Sequence, residues 1–336
     1  MILGKGENKM AMSFDEKLLK SFQRLDNTGK PDYPKGESNY YLDFIELLAL
    51  FAGKDGISYG DILDRFFGEQ EETHTYGDNP NETYTPERND TNESFIDGLF
   101  LLIDERMSQF GELYPFMKKD ENIFALKDGL SDEQKLYLFL LLSSSLDIFG
   151  SFNSELTTDF ESLAFETMRQ FLPNAIVKPF GKNSEYRGTA KEKIKQLAED
   201  IGLTTNDYEI SQIGERNVQE RGLDVVGWLP FDDNCSNIIV FLCQCACGKN
   251  YEYKQHDIRR FEHYYNFYRT MPQHTLFIPY SLINPKEGKF YHSDLIDDDY
   301  LIFERMRILN LNKGKNSIFN TLQSRDLVEQ CINHKK

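Results

Sequence analysis

The sequence predicts an α+β protein in which a helical first half precedes an α/β unit with a central mixed sheet. Apolar residues recur at helical spacing through most of the first half, and after Pro173 apolar runs of strand length appear between helical stretches. The charge changes at the same place. Residues 1–170 hold 16 basic and 33 acidic residues, whereas residues 171–336 hold 22 of each. We therefore predict two domains, 1–173 and 174–336.

The first half reads as a series of helices, and we predict an acidic regulatory or partner-binding domain. An acidic surface repels a phosphate backbone, so any nucleic-acid contact is expected from the second half. Ser58, Ser131 and Thr158 are candidate helix caps, and the last two have Gln134 and Glu161 at capping-box spacing. Helices are predicted at Tyr40–Phe51, 59–67, Phe95–Phe110, Asp132–Phe149 and Asp159–Leu172.

Two stretches of the first half have other interpretations. Residues 69–93 are polar, acidic and nearly free of aliphatic side chains, which predicts a mobile surface loop. A helix, a glycine-containing turn and a second helix at 40–67 would also fit a DNA-reading unit of a transcription regulator. The scarcity of Lys and Arg there favours a packing or partner-binding role instead.

In the second half, helical and strand-type runs alternate in an order that predicts a compact mixed sheet. The polar segment 230–237 is a natural reversal, so the two runs beside it should form a hairpin. Helices are predicted at Thr189–Ile201 and Ile258–Tyr268, and strands at Leu223–Leu229, Ile238–Cys247 and His274–Pro279.

Asp224 and Gln244 are lone polar residues in the two apolar runs of this hairpin. Strand alternation places them on one face, with Cys243, Cys245 and Cys247 on the other. A carboxylate and an amide oxygen at adjacent positions are hard ligands suited to Mg²⁺. An Asp and a Gln that only satisfy backbone groups would give the same pattern, and the strand pattern alone favours neither interpretation.

The segments GLDVVGWLPF and QCACGKNYEYK, which hold Asp224 and Gln244, give the sequence its family resemblance. The chain resembles the PD-(D/E)XK nuclease superfamily, which has the restriction-endonuclease-like fold and carries an Asp and then (Glu/Gln)-x-Lys on a hairpin after a helix. A bacterial group with a Q-C-A-x-G-K-N pattern, linked to phage defence, is similar over roughly residues 180–310. The stretch Phe303–Ile308 looks like that group's C-terminal strand.

This resemblance implies that Asp224 binds the metal and Gln244 orients the metal or the attacking water. The chain departs from the motif at Ala246, where the superfamily has its Lys. Lys249 is then the first candidate for a relocated amine and Lys254 the second. A surface lysine just after a strand would look the same.

The superfamily also implies a second carboxylate from the preceding helix. Glu192 and Glu199 of the helix at 189–201 fall opposite its apolar stripe, which counts against both. Glu192 also has a capping-box spacing from Thr189. Glu220, close before Asp224, is therefore ranked first as the second metal ligand. Lys254, Arg259 and Arg260, which lie just before or in the following helix, are candidates for DNA-backbone contact, although a helix that merely covers the sheet would also carry the two arginines.

Other chemistries have weaker signals. The alternating cysteines lack the paired spacing of a zinc site, the six histidines are scattered, and no phosphate-binding glycine loop is present. The odd number of cysteines predicts reduced thiols and a cytoplasmic location. No apolar run is long enough to cross a membrane.

We therefore predict a Mg²⁺- or Mn²⁺-dependent endodeoxyribonuclease of a bacterial defence or restriction system. Its expected partners are DNA and a defence-system protein bound by the helical half, and a homodimer would allow both strands to be cut. The alternative prediction is a nuclease-fold protein that has lost catalysis at Ala246 and binds DNA or a partner protein.

Overall fold

The computed structural model describes residues 12–33, 38–68, 86–214, 222–233, 235–284, 286–291, 293–315 and 317–334. The first part of the chain is mainly helical. Its elements are α1 (Phe14–Asp26), α2 (Ser38–Ala52), β1 (Ile57–Ser58), α3 (Tyr59–Phe67), α4 (Pro86–Phe110), β2 (Phe116–Lys118), β3 (Ile123–Leu126), α5 (Asp132–Ser143) and α6 (Asn153–Phe171).

The second part contains the larger sheet and the helices that follow it. Its elements are β4 (Ile176–Pro179), α7 (Ala190–Ile201), β5 (Thr204–Thr205), α8 (Asp207–Ser211), β6 (Val225–Trp228), β7 (Val240–Cys245), α9 (Tyr251–Arg259), α10 (Phe261–Tyr264), β8 (Tyr265–Asn266), β9 (Gln273–Phe277), β10 (Ile283–Asn284), β11 (Lys289–Phe290), β12 (Tyr300–Phe303), α11 (Arg305–Asn312), α12 (Ser317–Thr321) and α13 (Arg325–Ile332). Among the described helices, none is long and apolar enough to cross a membrane.

The predicted α+β class with a mixed sheet is confirmed. Five strands form this sheet in the order β12-β9-β7-β6-β4. Strands β4, β6 and β7 pair antiparallel, and β7, β9 and β12 pair parallel. The predicted hairpin is β6–β7, in which Val225 lies opposite Cys243.

Helices cover both faces of this sheet. Val225 and Cys243 point to the face that packs in the same core as Leu163 of α6. Val226 and Leu242 point to the other face and share a second core with α7 and α9. Strand alternation therefore sends the odd-numbered residues of β7 toward α6 and the even-numbered ones toward α9.

The first half is not all-helical as predicted, because β1, β3 and β2 form a small antiparallel sheet. These strands have two to four residues each, too few for a clear alternation signal. The main hydrophobic core also crosses the predicted boundary at residue 173. It joins Leu47 and Leu140 of the first half to Phe277 and Val328 of the second.

Several predicted boundaries are corrected. Helix α6 begins at Asn153, so Thr158 lies inside it instead of capping it. Residues 86–93 of the predicted loop belong to α4, and residues 69–85 lie outside the described part of the chain. In the stretch Phe303–Ile308, Phe303 ends β12, Glu304 accepts a hydrogen bond as the cap of α11, and the helix follows.

Other local signals are confirmed as predicted. Ser58 caps α3, and Ser131 with Gln134 forms a capping box on α5. Thr189 and Glu192 form another at the start of α7. The predicted helix at Ile258–Tyr268 is instead divided, because α9 ends at Arg259 and the chain enters β8 at Tyr265.

A buried group of charges, which we call the ionic cluster, joins α2 to α11. The guanidinium of Arg305 donates to both carboxylate oxygens of Asp43, at 3.1 and 2.7 Å, and is fully buried. Arg106 contacts Asp43 at 2.7 Å and Glu46 at 2.8 Å. Two positive and two negative charges therefore balance one another inside the core, as buried charges require.

Candidate functional site

Asp224 directly precedes β6, and its backbone N–H donates to the backbone oxygen of Cys243 on β7 at 2.9 Å. Its Oδ2 accepts a hydrogen bond of 2.7 Å from the backbone N–H of Cys245. Its backbone oxygen accepts from the N–H groups of Phe180 and Gly181, which follow β4. These bonds hold the Asp224 backbone and carboxylate between β7 and the segment after β4.

Glu161 of α6 approaches the same segment from the helical side. Its Oε2 accepts a hydrogen bond of 3.2 Å from the backbone N–H of Lys182. A Cβ atom at Gly181 would lie 2.8 Å from Oε2 of Glu161 and 3.1 Å from Oδ1 of Asp224. Because glycine has no side chain, the carboxylates of Asp224 and Glu161 can both lie close to the backbone of residue 181.

Both carboxylates open into a cavity of about 330 Å³ between α6, the segment after β4 and α12. We call it the carboxylate cavity. Acidic and apolar side chains line it. Among these are Glu161, Phe165, Glu166, Asp224, Ile318 and Leu322.

Lys182 supplies a positive charge beside this cavity. Its side chain is exposed, and its ammonium group donates to the hydroxyl of Thr157 at 3.0 Å, one turn before Glu161 on α6. Burial and the charges of Glu161 and Asp224 raise the pKa of Cys247, and the positive charge of Lys182 opposes that rise.

The thiols of β7 lie on the same side of the sheet as this cavity. Burial raises the pKa of Cys245 well above its usual value, and the negative charges of Asp224 and Glu161 raise it further. Burial likewise raises the pKa of Cys247, with Glu161 and Asp224 adding to the effect. Both thiols are therefore protonated near neutral pH, which excludes them as thiolate nucleophiles.

Gln244 and Ala246, the other two motif positions, face the opposite side of the sheet. The Gln244 side chain is 2% exposed, and its Nε2 lies 3.1 Å from the point where a Cβ of Gly222 would stand. That same point is 2.7 Å from the Cβ of Asp257 on α9. Asp224 and Gln244 are hairpin neighbours, but their side chains are directed toward different helices.

Ala246 is buried in a small apolar cluster with Leu276 and Tyr251. A lysine at this position would place its charge in that cluster and not beside Glu161.

Lys249, predicted as the relocated amine, is engaged outside the carboxylate cavity. Its Nζ pairs with Asp147 at 2.7 Å and lies 4.2 Å from the ring centre of Tyr33. Glu220, predicted as the second carboxylate, lies outside the described residues.

The predicted DNA-contacting residues Lys254, Arg259 and Arg260 belong to α9 or follow it directly. They therefore lie on the sheet face opposite the carboxylate cavity. Lys254 is exposed, whereas Arg260 pairs with Asp257 at 2.9 Å and Arg259 lies 3.7 Å from Asp297. The two arginines thus already have acidic partners.

The donor set of the carboxylate cavity agrees in part with what a divalent cation requires. Within the described residues, no three His, Cys, Asp or Glu side chains form a group that could hold a metal. Mg²⁺, however, usually keeps several waters and takes only one or two carboxylates from the protein. Asp224 and Glu161 supply two, so these residues fit a hydrated magnesium ion.

No protein-family model, no curated protein and no solved structure matches this sequence.

Sequence reasoning missed Glu161 and Lys182. Glu161 has a capping-box spacing from Thr158, which predicts a structural role at a helix start, and Lys182 belongs to no recognised motif. Both residues depend on β4, a strand of four residues that ends in Pro179 and has almost no local signal in the sequence. With β4 recognised, α6 becomes the helix immediately before the sheet and Glu161 becomes a candidate second carboxylate.

Proposed function

We propose that this chain is a divalent-metal-dependent endodeoxyribonuclease with Asp224 and Glu161 as its metal-holding carboxylates. The observation that carries the proposal is that both carboxylates approach Gly181 and line the same cavity. The order of elements supports it, because α6 precedes an Asp-bearing hairpin as the resemblance to the PD-(D/E)XK superfamily implies. A role in bacterial defence follows from that resemblance alone.

The residues around the cavity have separate parts in hydrolysis of a phosphodiester, in which water adds and one phosphorus–oxygen bond breaks. Asp224 and Glu161 hold the metal and are themselves held by the backbone N–H groups of Cys245 and Lys182. Mg²⁺ or Mn²⁺, when bound, supplies positive charge that offsets the charge developing on the phosphate. The exposed ammonium of Lys182 adds charge at the cavity edge and takes the part of the absent motif lysine.

The test of this proposal is cleavage of supercoiled plasmid and of a single-stranded circle in Mg²⁺ or Mn²⁺. Glu161→Gln keeps an oxygen that can accept from the Lys182 N–H but removes the negative charge. We expect it to lower the cleavage rate about 100-fold, the size of effect that loss of a few kcal/mol of charge stabilisation produces.

Glu166→Gln is the matched control, since Glu166 lies on the same helix and lines the same cavity but pairs with Arg169. It should change the cleavage rate less than about 3-fold, which is under 1 kcal/mol. Equal losses in both variants would assign the effect to the charge of the cavity and reject Glu161 as a specific ligand.

The two candidate amines give a second prediction. Lys182→Ala should lower kcat about 10-fold or more, because a charge beside the phosphate is lost. Lys249→Ala removes the pair with Asp147 and should leave kcat unchanged. Steady-state rates on plasmid measure both, and the opposite result would restore Lys249 as the relocated amine.

A binding subunit without catalysis is the second candidate function, and the burial of Ala246 in apolar surroundings favours it. Thermal unfolding separates the two candidates, since a metal that binds only the folded state raises Tm. An Asp224-dependent rise in Tm with Mg²⁺ or Mn²⁺ supports the hydrolase. If no such rise occurs and DNA is not cut, the binding subunit is the better description.

A further inference from the structure

The lining of the carboxylate cavity includes apolar side chains. Among them are Ile318 and Leu322, in and just after α12, and Phe165 of α6. Phe165 is half-buried, so part of its ring faces the cavity. The carboxylates alone would repel a phosphate, but a divalent cation held between them would attract it. With that cation, an acidic end and an aromatic wall in one small space suit a group that has both a phosphate and a flat apolar part.

Phe165 and Glu161 are one helical turn apart on the same side of α6. Residues four apart on a helix have Cβ atoms about 5–6 Å from each other, which is a span that one nucleotide can bridge. The guanidinium of Arg169 lies 5.7 Å from the ring centre of Phe165. This aromatic ring therefore stands between the carboxylates and a positive charge farther along the same helix.

We propose that the carboxylate cavity binds one unpaired nucleotide of single-stranded DNA, with its base against Phe165 and its phosphate at the Asp224–Glu161 end. This inference rests on the proposed nuclease function and names the substrate class of the same site. Aromatic side chains stack on any base because every base has a π face. The site therefore distinguishes single-stranded from double-stranded DNA but does not distinguish one base from another.

The size of the cavity argues against an intact duplex as the preferred substrate. Its volume of about 330 Å³ is at the lower end of small-molecule pockets, which span roughly 300–1,000 Å³. Such a space admits one nucleotide but not a base pair. In a duplex, a base would first have to be unpaired and unstacked, and this free-energy cost weakens binding. A single strand does not have this cost.

The test is equilibrium binding of a fluorescent oligothymidylate, alone and in duplex with oligodeoxyadenylate, in the presence of Ca²⁺. Calcium binds the same oxygen ligands and offsets the acidic charge of the cavity. The single strand should bind about 10-fold or more tightly than the duplex. Phe165→Leu keeps an apolar group for the core but removes the flat ring, and it should weaken single-strand binding about 10-fold.

Phe165→Tyr retains the ring and should bind like the wild type. Phe171→Leu is the control on the same helix, because Phe171 is 39% exposed and packs on Phe303, not on the cavity. Equal affinity for single strand and duplex, or unchanged binding in Phe165→Leu, would overturn the inference.

The binding result can be separated from the nuclease result. Asp224-dependent cleavage without single-strand preference would retain the nuclease and reject this substrate class. Phe165-dependent binding of single strands without any cleavage would retain the binding site and reject the hydrolase.

Discussion

Asp224→Asn is expected to lower the rate of DNA cleavage about 1,000-fold while the protein stays folded. The amide oxygen can still accept the hydrogen bond from the Cys245 N–H, so the end of the β6–β7 ladder is preserved. What the substitution removes is the negative charge beside Gly181 that would hold the metal. Single-turnover cleavage of a labelled strand, with Tm as the check on folding, measures both parts of the prediction.

Alanine is a poorer choice than asparagine at this position. It would leave the Cys245 N–H without its acceptor, and a buried unsatisfied donor costs about 1–3 kcal/mol. A loss of cleavage in Asp224→Ala could therefore reflect a disturbed hairpin as well as a lost metal ligand.

Asp200→Asn is the matched control for Asp224→Asn. Asp200 is likewise a carboxylate that accepts hydrogen bonds, in its case from the side chains of Lys178 and Tyr186, but it lies on α7, which covers the other face of the sheet. Cleavage should be unchanged in this control. If Asp224→Asn cleaves DNA at the wild-type rate, the carboxylate cavity is not the catalytic site.

The parts of the fold that the sequence predicted correctly depend on local signals. The capping box at Thr189 and Glu192 needs only residues three apart, and the β6–β7 hairpin needs two apolar runs with a polar turn between them. Both are decided by short-range chemistry that the order of residues displays directly.

The sequence predicts only part of the candidate site, because its proposed second carboxylate, Glu161, depends on a strand that has almost no local signal. Strand β4 reads Ile-Val-Lys-Pro and is held by pairing with β6, not by alternation of its own. If β4 is not recognised, β6 is taken as the first strand of the sheet, and α7 is then a helix before the sheet. The sequence therefore points to Glu192 and Glu199 of α7 instead of Glu161 of α6. The meeting of residues 161 and 224 is a tertiary contact that neither segment shows by itself.

The ionic cluster was missed for a related reason. Asp43 and Glu46 lie in the apolar stretch of α2, where a carboxylate looks like an interruption of a hydrophobic stripe. Their partner Arg305 is separated from Asp43 by 262 positions in the sequence. Charge balance inside a core becomes visible only when the three-dimensional contacts are known.

Arg305→Ala is expected to lower the free energy of unfolding by about 3–5 kcal/mol, because it leaves the negative charge of Asp43 buried with one partner fewer. Arg305 also donates to the backbone oxygen of Pro279 at 2.8 Å, so the loop after β9 loses a hydrogen bond as well. Arg305→Lys should recover little, since a single ammonium cannot reproduce the bidentate contact with Asp43. Denaturant unfolding measures both variants.

An exposed ion pair provides the control. Lys54 pairs with Asp128 at 2.8 Å, but their side chains are 78% and 70% exposed. Lys54→Ala should leave the unfolding midpoint unchanged, because such pairs are screened by water and salt. A similar midpoint for Arg305→Ala and Lys54→Ala would show that the cluster does not stabilise the fold.

The cluster also predicts how stability depends on pH. Burial alone would raise the pKa of Asp43, but the charges of Arg305 and Arg106 outweigh burial and hold that pKa below its usual value. The stability that Asp43 contributes is therefore present above the unfolded pKa of about 3.9 and is lost as the pH falls through the folded value. Asp43→Asn should be less stable than the wild type at neutral pH, and the difference should shrink below about pH 4.

Because the same cluster links α2 to α11, a coupled loss of both helices in hydrogen exchange would show that the two parts of the chain unfold as one unit.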